Sequence, residues 1–371
     1  MILAYYFPPL GMGGTQRAAK FVKYLPEFDW RPFVITVKQV AYYATDTSLL
    51  KDISGASIFR CGSLDPQRLL AIYRKGGTKR ISSTGRNKTY RRLNRLLSWI
   101  LIPDSKILWL PFAFVKALRL IWREEIDCFI TTSPPHSVHL LGKALRWITG
   151  KPWIADFRDS WPGGNFQVEP TRIHTWLNLQ MEKSVLLQAD RLITVSSGQT
   201  AELARRDKAE QFSQKLATIC NGFDPDDFPT GSIVSGEEFT ITYVGTVSDI
   251  SPVDDFLTAL AKFLAEPPVE RTGVMVKFVG ADLGGLQAAI ARNGLNDVVE
   301  HVGYLPHDQA VAQIVDSNLL LYCVASRARS AFIPGKTFEY MASGVPVLAI
   351  SPLVEGIELL KKYTTVCRVN P

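Results

Sequence analysis

Little in this sequence is suited to covalent or metal stapling. Its five cysteines, Cys61, Cys128, Cys220, Cys323 and Cys367, stand singly, with no CxxC and no His-rich spacing. That excludes a disulfide framework and a zinc ribbon, and leads us to expect a reducing, cytoplasmic setting. Long uninterrupted apolar runs are missing too. The run after Met1, "ILAYYFPPL", is too short to span a bilayer and lacks a basic leader, so neither a signal peptide nor a transmembrane helix is expected. There is no Ser-His-Asp order, no metal-ligand cluster, no P-loop lysine motif and no short internal repeat. "DPD" at Asp224–Asp226 has DxD spacing, but in a Pro-containing linker it reads as turn chemistry.

What is present is an α/β pattern. At 371 residues and 46% apolar, the chain should form two domains with substantial cores. Continuously apolar β-runs such as "DCFITT", "PWIADF" and "DRLITV" alternate with helix-length stretches, which predicts parallel sheets covered on both faces. A second series runs from "KLATIC" through "FTITYVG", "VMVKFVG", "LLLYCV" and "VPVLAI". We expect two doubly wound, Rossmann-like domains, residues 1–210 and 211–371, with a linker around "FDPDDFPTGSIVSGEE".

Acids are absent between Arg74 and Arg95, where nine Lys or Arg occur, and "LLSWILIPDSKILWLPFAFV" follows directly. Residues 74–114 therefore form a basic and apolar insertion. It suits an anionic membrane surface, with Trp99 and Trp109 at the boundary, or else a solvated loop followed by a core helix. The net charge of +7 permits an anionic partner without naming one, and no nucleic acid is expected.

Several loops could hold phosphate or sugar. Gly13 and Gly14 in "FPPLGMGGTQR" precede a helix expected near Thr15, where glycine lets backbone approach a ligand. Ser133, His136 and His139, and then Asp156, Arg158 and Asp159, fall at strand carboxyl ends, where ligands collect in open α/β sheets. Read singly, each histidine suits a helix cap or the surface, and Asp156 and Asp159 suit a salt bridge with Arg158. In "IPGKTFEYMASGVPVLA", Pro334 and Gly335 open a helix and Ser343–Gly344 close it. Lys336 lies in the first turn, against the preference of the helix dipole unless an anion is bound there. Glu339 follows on the same face, placed to accept from vicinal hydroxyls as an acid does for ribose.

These residues resemble a known family. "FPPLGMGGTQR", "ICNGFDPDDF", "YVGTVS", "HVGYLPHDQ" and "GKTFEYMASGVPVLA" are similar, in order, to family 4 glycosyltransferases of GT-B fold. "TTSPPHS", "ADFRDSW" and "ADRLITVSSG" resemble a bacterial branch that builds surface polysaccharides. The resemblance covers nearly the whole chain. It implies a retaining, metal-independent hexosyltransferase that needs no cofactor, with a nucleotide-diphosphate sugar and a glycan or lipid-linked acceptor as partners. It places the enzyme in the cytoplasm, peripheral on the inner face of the membrane.

By the same resemblance, Gly13, Gly14, Gly245, Thr246, Arg327, Lys336, Thr337 and Glu339 face the donor. Arg158 and Asp159 lie on the acceptor side, with Ser133, His136 and Asp156 near the chemistry. The sequence departs from the family at Ala331, where a first glutamate is expected, and lacks the cation after "VGT" that Lys336, Arg327 or Arg329 would replace. The end at "CRVNP" suggests a truncated chain. Two alternatives stay open: a GT-B nucleotide-sugar epimerase, and a nucleotide-sugar-binding partner subunit without turnover.

Overall fold

Strands with no polar face dictate the architecture. Phe33–Val37 is buried at all five positions, as a parallel strand covered by helices on both sides must be. The structure, a computed structural model, describes residues 1–42, 44–73, 97–162, 169–206, 209–229, 238–248, 253–267, 271–325 and 330–369. Arg327, Arg329 and the basic run from Arg74 to Arg95 lie outside the described residues. The chain divides into two units, Met1–Cys220 and Asn221–Pro371.

In the first unit β1 (Ile2–Leu3), α1 (Gly13–Tyr24), β2 (Phe33–Val37), β3 (Ser57–Cys61) and α2 (Pro66–Tyr73) form one wing. The chain then continues through α3 (Leu110–Arg123), β4 (Phe129–Ser133), α4 (Ser137–Thr149) and β5 (Trp153–Phe157). It finishes with α5 (Arg172–Gln188), β6 (Arg191–Thr194), α6 (Ser197–Ala204) and β7 (Leu216–Thr218). The seven strands lie parallel in the order β3-β2-β1-β4-β5-β6-β7. Winding reverses between β1 and β4, which opens a crevice at their carboxyl ends.

The second unit comprises β8 (Phe239–Val244), α7 (Asp254–Phe263), β9 (Val274–Val279), α8 (Leu286–Arg292) and β10 (Val299–Gly303), followed by α9 (His307–Val315) and β11 (Leu319–Cys323). It closes with α10 (Lys336–Ser343), β12 (Val347–Ile350), α11 (Glu355–Leu360) and β13 (Val366–Val369). Its six-stranded parallel order is β10-β9-β8-β11-β12-β13, so the switch point lies between β8 and β11.

Two expectations need correction. "KLATIC" does not open the second sheet, because β7 pairs in parallel with β6. Arg17 of α1 also donates to the Cys220 carbonyl, so the first unit runs ten residues beyond the expected boundary at 210. The reason is topological: one apolar strand can extend either sheet, and only long-range pairing chooses. Trp109 is likewise no boundary residue. It is fully buried, edge-on to Tyr5 at 5.6 Å in the first core, whereas Trp99 is exposed. Lys106 beside it is buried and paired with Asp65 at 3.2 Å.

Among the described residues no helix is long and apolar enough to cross a membrane.

Candidate active site

Both switch points carry the residues singled out in the sequence. In the first unit β1 leads to α1, which starts at Gly13, two residues before the expected Thr15. β4 leads through two prolines to α4. Arg158, just past β5, ties the two loops together. Its Nε donates to the Ser133 carbonyl at 2.9 Å, one Nη to the Pro134 carbonyl at 2.9 Å, and the other to the Gly14 carbonyl. Arg158 therefore spends its donors on backbone. Asp159 beside it is half-buried, and burial pushes its carboxyl up against the pull of Arg158.

Asp156 is not partnered by Arg158. Its carboxylate accepts from Arg17 Nη2 at 3.0 Å and Nε at 3.2 Å, and from Thr132 Oγ1 at 2.7 Å, all buried. A carboxylate so occupied serves as an anchor for α1 rather than as a free base.

The histidines depart from expectation as well. His136 and His139 are buried rather than exposed, and His136 holds the N-cap position of α4 without a side-chain cap hydrogen bond. His136 stacks on Trp161 at 5.0 Å and 8°, and among the described residues its Nδ1 has no hydrogen-bond partner. Burial, with Arg158 nearby, pulls its pKa down to about 3, so the ring is neutral. The Ser133 hydroxyl is also buried without a partner among the described residues. His139 is held by Thr131 at 2.8 Å, again neutral through burial.

In the second unit the switch point is closed by α10. Tyr340 reaches between the parting strands: its hydroxyl accepts from Val244 N at 3.0 Å and donates to the Leu321 carbonyl at 3.2 Å. Gly344, at φ 69°, ends the helix in the left-handed conformation the sequence predicts. Thr337, expected toward the donor, is buried and bonded to Tyr322 at 3.0 Å.

Lys336 opens α10, and its Nζ turns into a cage of tyrosines instead of the open helix mouth. It sits 3.5 Å over the Tyr243 ring centroid, with Tyr322 at 5.5 Å and Tyr340 at 5.9 Å. A Cβ on Gly245 would lie 3.7 Å from this ammonium. Gly245 holds φ 134°, a conformation that suits glycine alone. Tyr243 thus carries Lys336 on its face, while its hydroxyl holds the Thr246 carbonyl at 3.1 Å. Among the described residues the amine has no hydrogen-bond partner, and burial brings its pKa down to about 7.

Glu339, one turn on, is pushed up by burial. Beside it lies His307 at the start of α9, with Nδ1 3.6 Å from Oε1. The other imidazole nitrogen lies 3.2 Å from Asp227 Oδ2. His307 and Asp227 were not singled out in the sequence. The "LPHDQ" and "DPDDF" segments are 80 residues apart, and only the fold brings them to Glu339. The DPD turn behaves as predicted, Asp224 Oδ1 accepting from Asp226 N at 3.0 Å.

Residues 76–227 match the family model described as Glycosyltransferase Family 4, and residues 238–368 the one described as Glycosyl transferases group 1. No curated protein sequence matches the chain at a significant level. Among solved structures, sucrose-phosphate synthase from Thermosynechococcus elongatus is similar at 18% identity and a TM-score of 0.64, over 100% of this chain and 85% of that one. The N-terminal domain of Candida albicans trehalose-6-phosphate phosphatase is similar at 14% identity and a TM-score of 0.58, over 99% and 84%. For a UDP-N-acetylglucosamine 2-epimerase homologue from Listeria monocytogenes the values are 10%, 0.56, 100% and 84%. At such identities the likeness is one of fold. Domain matches and architecture agree on a chain of GT-B fold built from two glycosyltransferase domains.

Proposed function

We propose that the protein is a retaining, metal-independent glycosyltransferase. It moves a sugar from a nucleotide-diphosphate sugar to a hydroxyl of a lipid-linked or polysaccharide acceptor, peripheral at the cytoplasmic membrane face, in cell-surface glycan synthesis. One observation carries the reading: at the second switch point the buried Lys336 Nζ has no hydrogen-bond partner among the described residues, and Glu339 lies one turn on.

A diphosphate at the start of α10 would meet the positive end of the helix and draw Lys336 from its tyrosines, and Glu339 would accept from the ribose hydroxyls. In transfer, the bond from the sugar anomeric carbon to phosphate oxygen breaks, its electron pair leaving with the diphosphate. The acceptor oxygen bonds to the same face of that carbon, and its proton passes to the departing phosphate. The cation and helix end stabilise the charge that develops there. No protein nucleophile is required, in keeping with an Asp156 already engaged by Arg17. On the acceptor side, the unpartnered Ser133 Oγ and neutral His136 Nδ1 offer hydrogen bonds to a sugar hydroxyl.

Ala331 favours a second reading, a partner subunit that binds the donor without turnover. A donor panel read by mass spectrometry, with and without lipid-linked acceptors, tests both. Product carrying the donor sugar supports transfer. Binding with neither transfer nor hydrolysis supports the partner subunit, and a free 2-epimer formed without acceptor would make the chain an epimerase.

A further inference from the structure

His307 opens α9 directly after Pro306, where the helix dipole disfavours a cation. Two acids offset that effect. His307 Nε2 lies 3.2 Å from Asp227 Oδ2, and Nδ1 lies 3.6 Å from Glu339 Oε1. Only an imidazolium presents an N–H to both acids at once. The two nitrogens face different carboxylates, so the trio is a chain and not a chelating cluster. Its anchored end is Asp227. The turn Pro225–Asp227 is capped by the Asp224 side chain, and the Asp227 N–H donates to the Asp224 carbonyl at 3.0 Å. Its open end is Glu339: side-chain exposure runs from 3% at Asp227 through 10% at His307 to 13% at Glu339.

We infer that His307 is a positioning residue that makes this site selective for nucleotides with an intact ribose diol. Asp227 fixes the imidazole and the imidazole fixes Glu339 Oε1. The remaining carboxylate lone pairs are left for the 2′- and 3′-hydroxyls. Without His307 the acid loses both its aim and its charge. Burial pushes the Glu339 carboxyl up and Asp227 adds to that, while His307 opposes it more than Lys336 does. A neutral carboxyl spends one oxygen on its own proton, so it no longer accepts equally from two hydroxyls. The open end of the chain is also the acid one turn from Lys336, where a ligand's ribose would follow its diphosphate. The inference rests on the donor reading of α10 and deepens it, naming the part of the nucleotide that is recognised.

The test is calorimetric titration of ADP, CDP, GDP and UDP, and of their 2′-deoxy forms, into the full chain. Wild type should bind at least one ribonucleoside diphosphate about tenfold or more tighter than its 2′-deoxy form. His307→Leu should bring that ratio below about threefold, with the loss on the ribose side. In a Glu339→Ala background the same change should leave the ratio unaltered, because the effect passes through Glu339. His307→Asn keeps a donor near the Nδ1 position and His307→Gln one near the Nε2 position. Asn should retain more of the ratio than Gln, and this pair decides the matter if His307→Leu does not fold. A merely structural histidine would weaken both nucleotide forms together and keep the wild-type ratio, which would overturn the inference. So would wild type that binds the two forms equally, or a further change of ratio in the Glu339→Ala background. No diphosphate binding at all would remove the donor reading as well. Discrimination without sugar transfer would leave this inference standing and remove the transfer reading alone.

Discussion

The carboxyl end of β5 and the start of α10 both gather charge at a sheet's switch point, yet they use it in opposite ways. Asp156 is saturated by Arg17 and Thr132, and Arg158 beside it is spent on three carbonyls. Among the described residues Lys336 has no hydrogen bond and sits over an aromatic face, while Glu339 has a histidine at 3.6 Å. Buried polar groups are normally satisfied, because leaving one unpaired costs about 1–3 kcal/mol. The first cluster therefore holds the fold, and the second is where we propose the donor binds.

Mutation breaks this contrast most sharply at its two acids. Asp156→Ala leaves Arg17 buried and unpaired, and should cost about 3–5 kcal/mol in urea unfolding. Glu339→Ala should cost at most about 0.5 kcal/mol of stability, since burial already disfavours its charge. The same change should weaken donor binding by about 10- to 100-fold, the worth of a hydrogen bond to a charged group. Equal stability losses at the two sites would erase the distinction.

Lys336 sharpens it through pH. Its pKa falls from 10.5 to about 7 on folding, through burial outweighing Cys323 and Glu339. Between those values the unfolded chain binds more protons. Stability should therefore rise with pH over that window, by up to about 1.4 kcal/mol per unit, and this contribution is lost as pH falls through 7. Lys336→Met should remove that slope in urea titrations at pH 7 and pH 9. Donor phosphate would favour the protonated amine, so donor affinity should fall as pH rises above 7, by up to about tenfold per unit.

At the small end, Arg292 and Asp254 pair at 3.0 Å on the exposed surface. Arg292→Ala should change stability by less than about 1 kcal/mol and leave donor binding unaltered.

Much of this was legible from local pattern. The boundaries of α10, its glycine stop, the apolar parallel strands and the Asp224 turn follow from residues a few positions apart. What escaped depended on distance along the chain. Arg17 meets Asp156 across 139 residues, and its appearance beside "GGT" gives no hint of a carboxylate partner. His307 and Asp227 reach Glu339 only because α9 and the turn before β8 fold to the same strand ends. Trp109 reads like a membrane-boundary residue in sequence, but the first core needs its volume. The exposure of Phe112 and Trp122 on α3 was hidden for a similar reason, since an apolar helix pattern does not say which side the core takes.

The most direct test is calorimetric titration of nucleoside diphosphates into wild type, Glu339→Ala and Lys336→Met at pH 8, in two buffers of different ionisation enthalpy. At least one diphosphate should bind wild type with proton uptake, Glu339→Ala should bind it about tenfold more weakly or worse, and Lys336→Met should bind without uptake. Wild-type affinity in Glu339→Ala, with proton uptake persisting in Lys336→Met, would contradict the placement of the donor at α10.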